Sequence, residues 1–219
     1  MQKAQFVVPV DSAVNQTMDA LYEVILIDDG SRDRSAEILD EYVDQYTYVR
    51  VIHQANQGIT RTRENGIRAA RGEYIFWVDA DDYADKHLPA KTLPLLESGA
   101  DVVIYGTQCF CENGGRADNR IWKNISDVAY WKQQALNAKL STIWTYGTRR
   151  AFWEGETSPS EVARSAADGY MTIRIFDKAR VFRVIPDILY YHLVDSPFSI
   201  CHTFNGKRYL GNAFFGIID

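Results

Sequence analysis

The sequence predicts an α/β domain: a Rossmann-like, mostly parallel sheet with helices on both faces. Two observations carry that expectation. Short apolar runs alternate with stretches whose apolar residues recur at helical spacing, the βαβ rhythm of parallel strands joined by helical crossovers. The second is the unbroken apolar run Tyr74 to Val78, which leads straight into Asp79, Asp81 and Asp82. A run this short and this uniformly apolar fits a strand buried on both faces. Ligands of open α/β sheets bind beyond the carboxyl ends of the strands, so the three carboxylates fall where a ligand would sit.

Taken in order, Phe6 to Val10 reads as a first strand and Glu23 to Ile27 as a second, with a barely adequate parallel crossover between them. Ile38, Leu39, Tyr42 and Tyr46 recur at helical spacing, with Asp33 or Ser35 as the cap. Val49 to Ile52 is the next strand. Gly58 opens a helix that carries Ile59, Ile67, Ala69 and Ala70 and stops at Gly72. Lys86 to Leu96 is helical despite Pro89 and Pro94, and Asp101 to Tyr105 is a strand. Glu112 to Asn119 is turn-rich, and Ser126 caps a helix reaching about Leu140. Trp144, Tyr146, Phe152 and Trp153 crowd a poorly periodic stretch, where they suit a subsidiary core better than a sugar-stacking surface. Asp168 lies at the N-terminal end of a helix that includes Phe176, where a carboxylate serves equally as catalyst or as cap. Val181 to Ile185 and Ile188 to Tyr191 read as two strands, followed by a loop with His192, Ser196, Ser199 and His202.

Composition narrows the function. Across 219 residues, 46% hydrophobic and 24% charged content describe an ordinary globular chain. A formal net charge of -5 argues against a nucleic-acid partner, which favours a basic surface. No apolar run approaches the ~18 residues of a membrane span and the N-terminus lacks a signal-peptide pattern, so the cytoplasm is the expected location. Cys109, Cys111 and Cys201 form neither a disulfide framework nor a zinc pattern.

The chemistry is in the acidic clusters. Asp79, Asp81 and Asp82 repel one another unless a cation lies between them, and Mg²⁺ is typically held by one or two carboxylates plus substrate phosphates. The cluster points to a phosphate-bearing substrate, and Asp79 and Asp82 read as readily as punctuation of a turn and a cap for the next helix. Asp28 and Asp29 end the strand at Ile27 and could hold a base or ribose, yet Asp28-Asp29-Gly30-Ser31 reads as readily as a turn and helix cap.

Several spaced motifs then make a family resemblance. Val24 to Ser31 (V-I-L-I-D-D-G-S), Asn56 to Gly58 (N-Q-G), Arg63 to Ile75 (R-E-N-G-I-R-A-A-R-G-E-Y-I) and Asp79 to Asp82 (D-A-D-D) resemble the family 2 glycosyltransferases of GT-A fold. The resemblance implies inverting transfer of a sugar from a nucleotide diphosphate donor, with UDP the first choice, to a glycan or lipid-linked acceptor, assisted by Mn²⁺ or Mg²⁺. It implies that Asp29 contacts the base, Asp79 the ribose and Asp81 the metal, with Asp79 a second metal ligand. Asp28, Asn56, Gly58, Arg63 and Asp82 lie on or beside the matched motifs and are expected in the nucleotide-sugar site. Asp168 falls at the family's general base. Leu189 to His192 resembles the aromatic strand before a donor-closing loop, with His192 as a phosphate contact. Residues 1–106 would then form the nucleotide-sugar-binding βαβ half and 107–219 the acceptor-binding and catalytic half of the same domain, with a small C-terminal extension on the acceptor side. Peripheral membrane association is compatible with a lipid-linked acceptor.

The sequence also departs from the family. Pro9-Val10 runs directly into Asp11 where many members have a longer loop and helix, Ala167 stands where many carry Glu, and Leu140 to Ser165 does not align. The alternatives are a non-catalytic nucleotide- or carbohydrate-binding module and a sugar nucleotidyltransferase, which would carry a glycine-rich basic loop after its first strand.

Overall fold

The structure is a computed structural model, and it describes residues 2–111, 115–156, 167–194 and 213–217. In chain order the elements are α1 (Gln2–Val14), β1 (Tyr22–Asp28), α2 (Ser35–Gln45), β2 (Val49–His53), α3 (Ile59–Ala69), β3 (Tyr74–Val78) and β4 (Tyr83–Ala84). These are followed by α4 (Leu88–Glu97), β5 (Val102–Phe110), β6 (Arg116–Arg120), α5 (Val128–Leu136), β7 (Tyr146–Arg149), α6 (Ala167–Lys178), β8 (Phe182–Leu193) and β9 (Ala213–Ile217). Single 3-10 turns, Ile143–Thr145 and Arg150–Phe152, flank β7.

All the strands join one sheet in the order β2-β1-β9-β3-β7-β5-β8-β4, with β6 on the side of β5. Strands β2, β1, β3, β5 and β8 point the same way, as the pairings require, and β9, β7, β4 and β6 run against them. Carboxyl ends of β1, β2 and β3 therefore open on one edge, and β8 ends on the same edge. The apolar reading of β3 holds fully, since every residue of Tyr74–Val78 is buried. Its neighbours on the sheet supply Val24 to Ile27 from β1 and Val102 to Tyr105 from β5 to the same core. Trp153 meets Trp77 edge-on at 5.5 Å, and Tyr146 stacks on Trp153. The aromatics of 144–153 are thus core, as the composition of that stretch suggested.

Five expectations are corrected. Phe6 to Val10 is not a strand but part of the α1 helix, in which Val10, Ala13 and Val14 are buried. A short apolar run carries no periodicity to separate a buried helix from a strand. The strand position beside β1 is filled instead by β9, antiparallel to both β1 and β3, so the sheet is mixed and no crossover joins α1 to β1. Val181 to Ile185 and Ile188 to Tyr191 form one strand, β8, whose register against β5 shifts between Tyr105 and Thr107. The bulge absorbs Pro186, which has no N–H to give to a ladder. Finally, 116–120 is a strand in the segment read as turns, and Asp127, not Ser126, caps α5 by accepting from Ala129 N at 2.8 Å.

Candidate active site

The acidic turn after β1 is built by its own hydrogen bonds. Gly30 adopts φ +75, and a Cβ there would sit 2.8 Å from Asn56 N, so glycine is required for the turn to lie under the next loop. Asp28 is 5% exposed; Oδ1 accepts from Ser31 N at 2.8 Å and Oδ2 faces His53 Nδ1 at 3.1 Å. Both its oxygens serve the turn and the end of β2. His53 is held on its other side by Asp40 Oδ1 at 3.0 Å, and the two carboxylates, Asp40 foremost, raise its pKa.

Asp29 is 1% exposed and accepts from Gln54 Nε2, Gln57 N and Gly58 N at 2.7, 2.8 and 2.8 Å. Asn56 Nδ2 donates to the Asp29 carbonyl at 2.8 Å. The sequence motifs D-D-G-S and N-Q-G are therefore one structural unit, in which a carboxylate fixes the loop that leads into α3. Gly58, at φ +83, turns that loop into the helix.

Around the turn after β3 the side chains come from four elements. Asp82 N bonds to Asp79 O at 3.0 Å, and the short β4 that follows pairs Tyr83 with Tyr191 of β8. That pairing brings the end of β8 over the turn. Asp82 is fully buried and accepts from Tyr190 Oη at 2.8 Å and Leu193 N at 2.9 Å, with His192 Nδ1 3.0 Å from both its oxygens. Tyr190 Oη in turn accepts from Asp79 N at 3.0 Å. Trp144 stacks on Tyr190 and His192 at 4.7 and 4.9 Å, closing the network from below. Burial pushes the Asp82 carboxyl upward against the opposing pull of His192. For His192 burial acts downward, but Asp82, Asp79 and Asp81 outweigh it and the net direction is up. Asp82 thus anchors the turn, and His192 keeps Nε2 as the nitrogen able to meet a ligand.

Asp79 is the strained carboxylate of the site. Burial, with Asp168 and Asp81 adding repulsion, raises its pKa to about 6, although Arg63 and His192 pull the other way. Asp81 stands half-buried beside it. Arg63 from α3 is 1% exposed, and its guanidinium spans two carboxylates: Nη2 lies 3.3 Å from Asp79 Oδ1 and Nη1 donates to Asp168 Oδ1. Asp168 lies in the first turn of α6. Arg63, Asp79 and Asp168 are therefore one cluster, with Asp81, Asp82 and His192 beside it. Asp28, Asp29, Asn56 and Gly58 form a second cluster at the neighbouring strand end. Tyr190, Trp144 and Gln54 hold these clusters. The sequence marked Trp144 only as core and Tyr190 only as part of the aromatic run Leu189 to His192, and it gave no signal for Gln54. Ser196, Ser199 and His202 lie outside the described residues.

Among the described residues no group of three or more His, Cys, Asp and Glu is arranged to hold a metal ion by itself. Asp79 and Asp81 nonetheless suit a hard divalent cation completed by phosphate oxygens, since they are oxygen donors two residues apart on the turn after β3. Cys109 and Cys111 are free thiols.

A mixed α/β sheet with carboxylates gathered beyond the ends of its co-directional strands is the architecture of a GT-A domain. Sequence comparison agrees, for residues 9–154 match the model of glycosyl transferase family 2. The chain belongs to that family. It is 30% identical over 192 residues to the uncharacterized glycosyltransferase EpsJ of Bacillus subtilis, covering 84% of this chain and 55% of EpsJ. It is 28% identical over 193 residues to the poly(ribitol-phosphate) beta-glucosyltransferase of Bacillus spizizenii, covering 84% of this chain and 29% of that protein. The chain thus spans about half or less of these relatives. In fold it is similar to S. aureus TarS 1-349 in complex with UDP, with TM-score 0.71, 23% identity, and coverage of 88% of this chain and 57% of that one. No helix among the described residues is long and apolar enough to cross a membrane.

Proposed function

We propose that this domain transfers a sugar with inversion from a UDP-sugar to a hydroxyl of a glycan or lipid-linked acceptor, with Asp168 as general base. The observation that carries the reading is that Asp168 and Asp79, from α6 and the end of β3, share one buried guanidinium. A base and a donor-side carboxylate on opposite sides of one small cluster are what a single displacement needs. Family membership and the fold shared with a UDP-bound structure support the nucleotide-sugar donor.

In this reading the Asp79 carboxylate accepts from the ribose hydroxyls and, with Asp81, holds Mn²⁺ or Mg²⁺. The metal, when bound, neutralises the departing diphosphate and removes the need for an acid at the leaving group. His192 Nε2 reaches a phosphate oxygen, its ring fixed by Asp82 on one side and Trp144 on the other. Asp29 would meet the base by exchanging one of its loop donors for a base N–H. Asp168 takes the proton from the acceptor hydroxyl as that oxygen attacks the anomeric carbon. Residues 107–219 contribute Asp168 and His192 and would bind the acceptor.

Asp168→Asn tests the assignment. Transfer should fall about a hundredfold or more, with UDP affinity near that of the parent. The capping role predicts instead near-normal transfer, because Asn caps as well as Asp. Near-parental transfer by this variant would remove Asp168 as the base.

A further inference from the structure

A guanidinium stays protonated in proteins, so a buried arginine must bring anions with it. Arg63 is 1% exposed, and its anions are the two carboxylates assigned above to opposite halves of the reaction. Asp79 and Asp168 remain 21% and 24% exposed, so each presents one side to Arg63 and leaves another open to the site. The third nitrogen, Nε, is buried without a hydrogen-bond partner among the described residues, so the polar contacts of the guanidinium there run through its fork. The start of the helix that carries Arg63 is itself held. Thr62 Oγ1 donates to Gly58 O at 3.1 Å, tying the first turn of α3 to the loop that Asp29 organises.

We infer that Arg63 is a positioning residue that sets the Asp168 carboxylate relative to the donor-side Asp79, and that its guanidinium is not a ligand of the donor. The inference rests on the reading of Asp168 as base. Without the guanidinium the two carboxylates repel, and Asp168 of α6 loses the cation that ties it to Asp79 at the end of β3. A donor phosphate, by contrast, would reach Arg63 only after displacing one of the carboxylates. Two planar N–H pairs at fixed spacing hold two carboxylates at fixed spacing; a single ammonium cannot.

The test uses the full chain with UDP and Mn²⁺ as the binding pair and release of UDP from a panel of UDP-sugars as the turnover assay. Arg63→Met should lower turnover about 30- to 100-fold, the scale of a misplaced reacting group, with UDP affinity within about threefold of the parent. Adding Asp168→Asn to Arg63→Met should cost less than about threefold more, because both changes remove the same function. Arg63→Lys should fold as the parent does and recover part of the turnover. It carries the test if Arg63→Met does not fold, since parental turnover in the lysine variant would overturn the inference. A tenfold loss of UDP affinity would also overturn it and make Arg63 a donor ligand. So would multiplicative losses in the double variant. If Asp168→Asn alone turns over normally, the base assignment fails first and this inference falls with it. If Asp168→Asn is inactive and Arg63→Met is not, the inference alone fails.

Discussion

Asp79→Asn should make the unliganded protein more stable while abolishing the metal-dependent nucleotide binding proposed above. The Asp79 carboxyl rises from 3.8 to about 6, first through burial and then through Asp168 and Asp81. Each tenfold change in proton affinity is worth about 1.4 kcal/mol, so holding this group ionised costs the fold roughly 3 kcal/mol. Water reaching the 21% of the side chain that stays open screens part of the cost, leaving about 1–2 kcal/mol. For a chain of 219 residues that corresponds to a gain of about 2–8 °C in Tm. The amide oxygen can still accept from Arg63. The sign follows from linkage. A raised carboxyl costs nothing where both states are protonated, accrues its cost between pH 3.8 and about 6, and carries it in full above. Thermal scans of both proteins should therefore diverge at pH 8 and converge toward pH 4. A variant less stable than its parent at pH 8, or a difference that does not change with pH, would refute the reasoning.

The proposed metal requirement can be measured directly: UDP should bind at least tenfold more tightly with Mn²⁺ than with EDTA, because in the proposed site the diphosphate otherwise faces Asp79 and Asp81, and equal affinities by calorimetry would remove the metal. His53→Gln should lower Tm most below pH 6.5. His53 has a raised folded pKa, from Asp40 first and then Asp28, so its contribution is complete below 6.5 and fades as pH rises through the folded value. A deficit that persists unchanged in alkaline buffer would show that the ring serves only as packing.

What could be read from the sequence was what is local. Asp28, Asp29, Asn56 and Gly58 lie within a few residues of strand or helix ends whose periodicity is clear, and the structure adds only that Asp29 ties the two motifs together. The β3 run needed no partner to be recognised, because burial on both faces removes alternation. Contacts between distant elements were not legible. Nothing near Asp82 announces that β4 will pair with β8 and bury it under Tyr190 and His192, nor does anything near Arg63 announce Asp168. These contacts depend on sheet order, and sheet order depends on which segment occupies each position.

The strand position between β1 and β3 shows how weakly that choice is written locally. Phe6 to Val10 and Ala213 to Ile217 are both short apolar runs, and pattern alone favours the first, which would extend the parallel rhythm. The structure uses the second. An antiparallel strand satisfies the free N–H and C=O groups of both neighbours as completely as a parallel one, so the ladder does not discriminate by direction. For the site, the requirement is one strand between β1 and β3. Leu26 and Val78 both pair with Ala213, which sets the ends bearing Asp28 and Asp79 in register across a single intervening strand. The spacing of the two acidic clusters therefore depends on the presence of that strand and not on its direction. A first strand read wrongly from the sequence therefore leaves the placement of the acidic clusters at the ends of β1 and β3 unchanged.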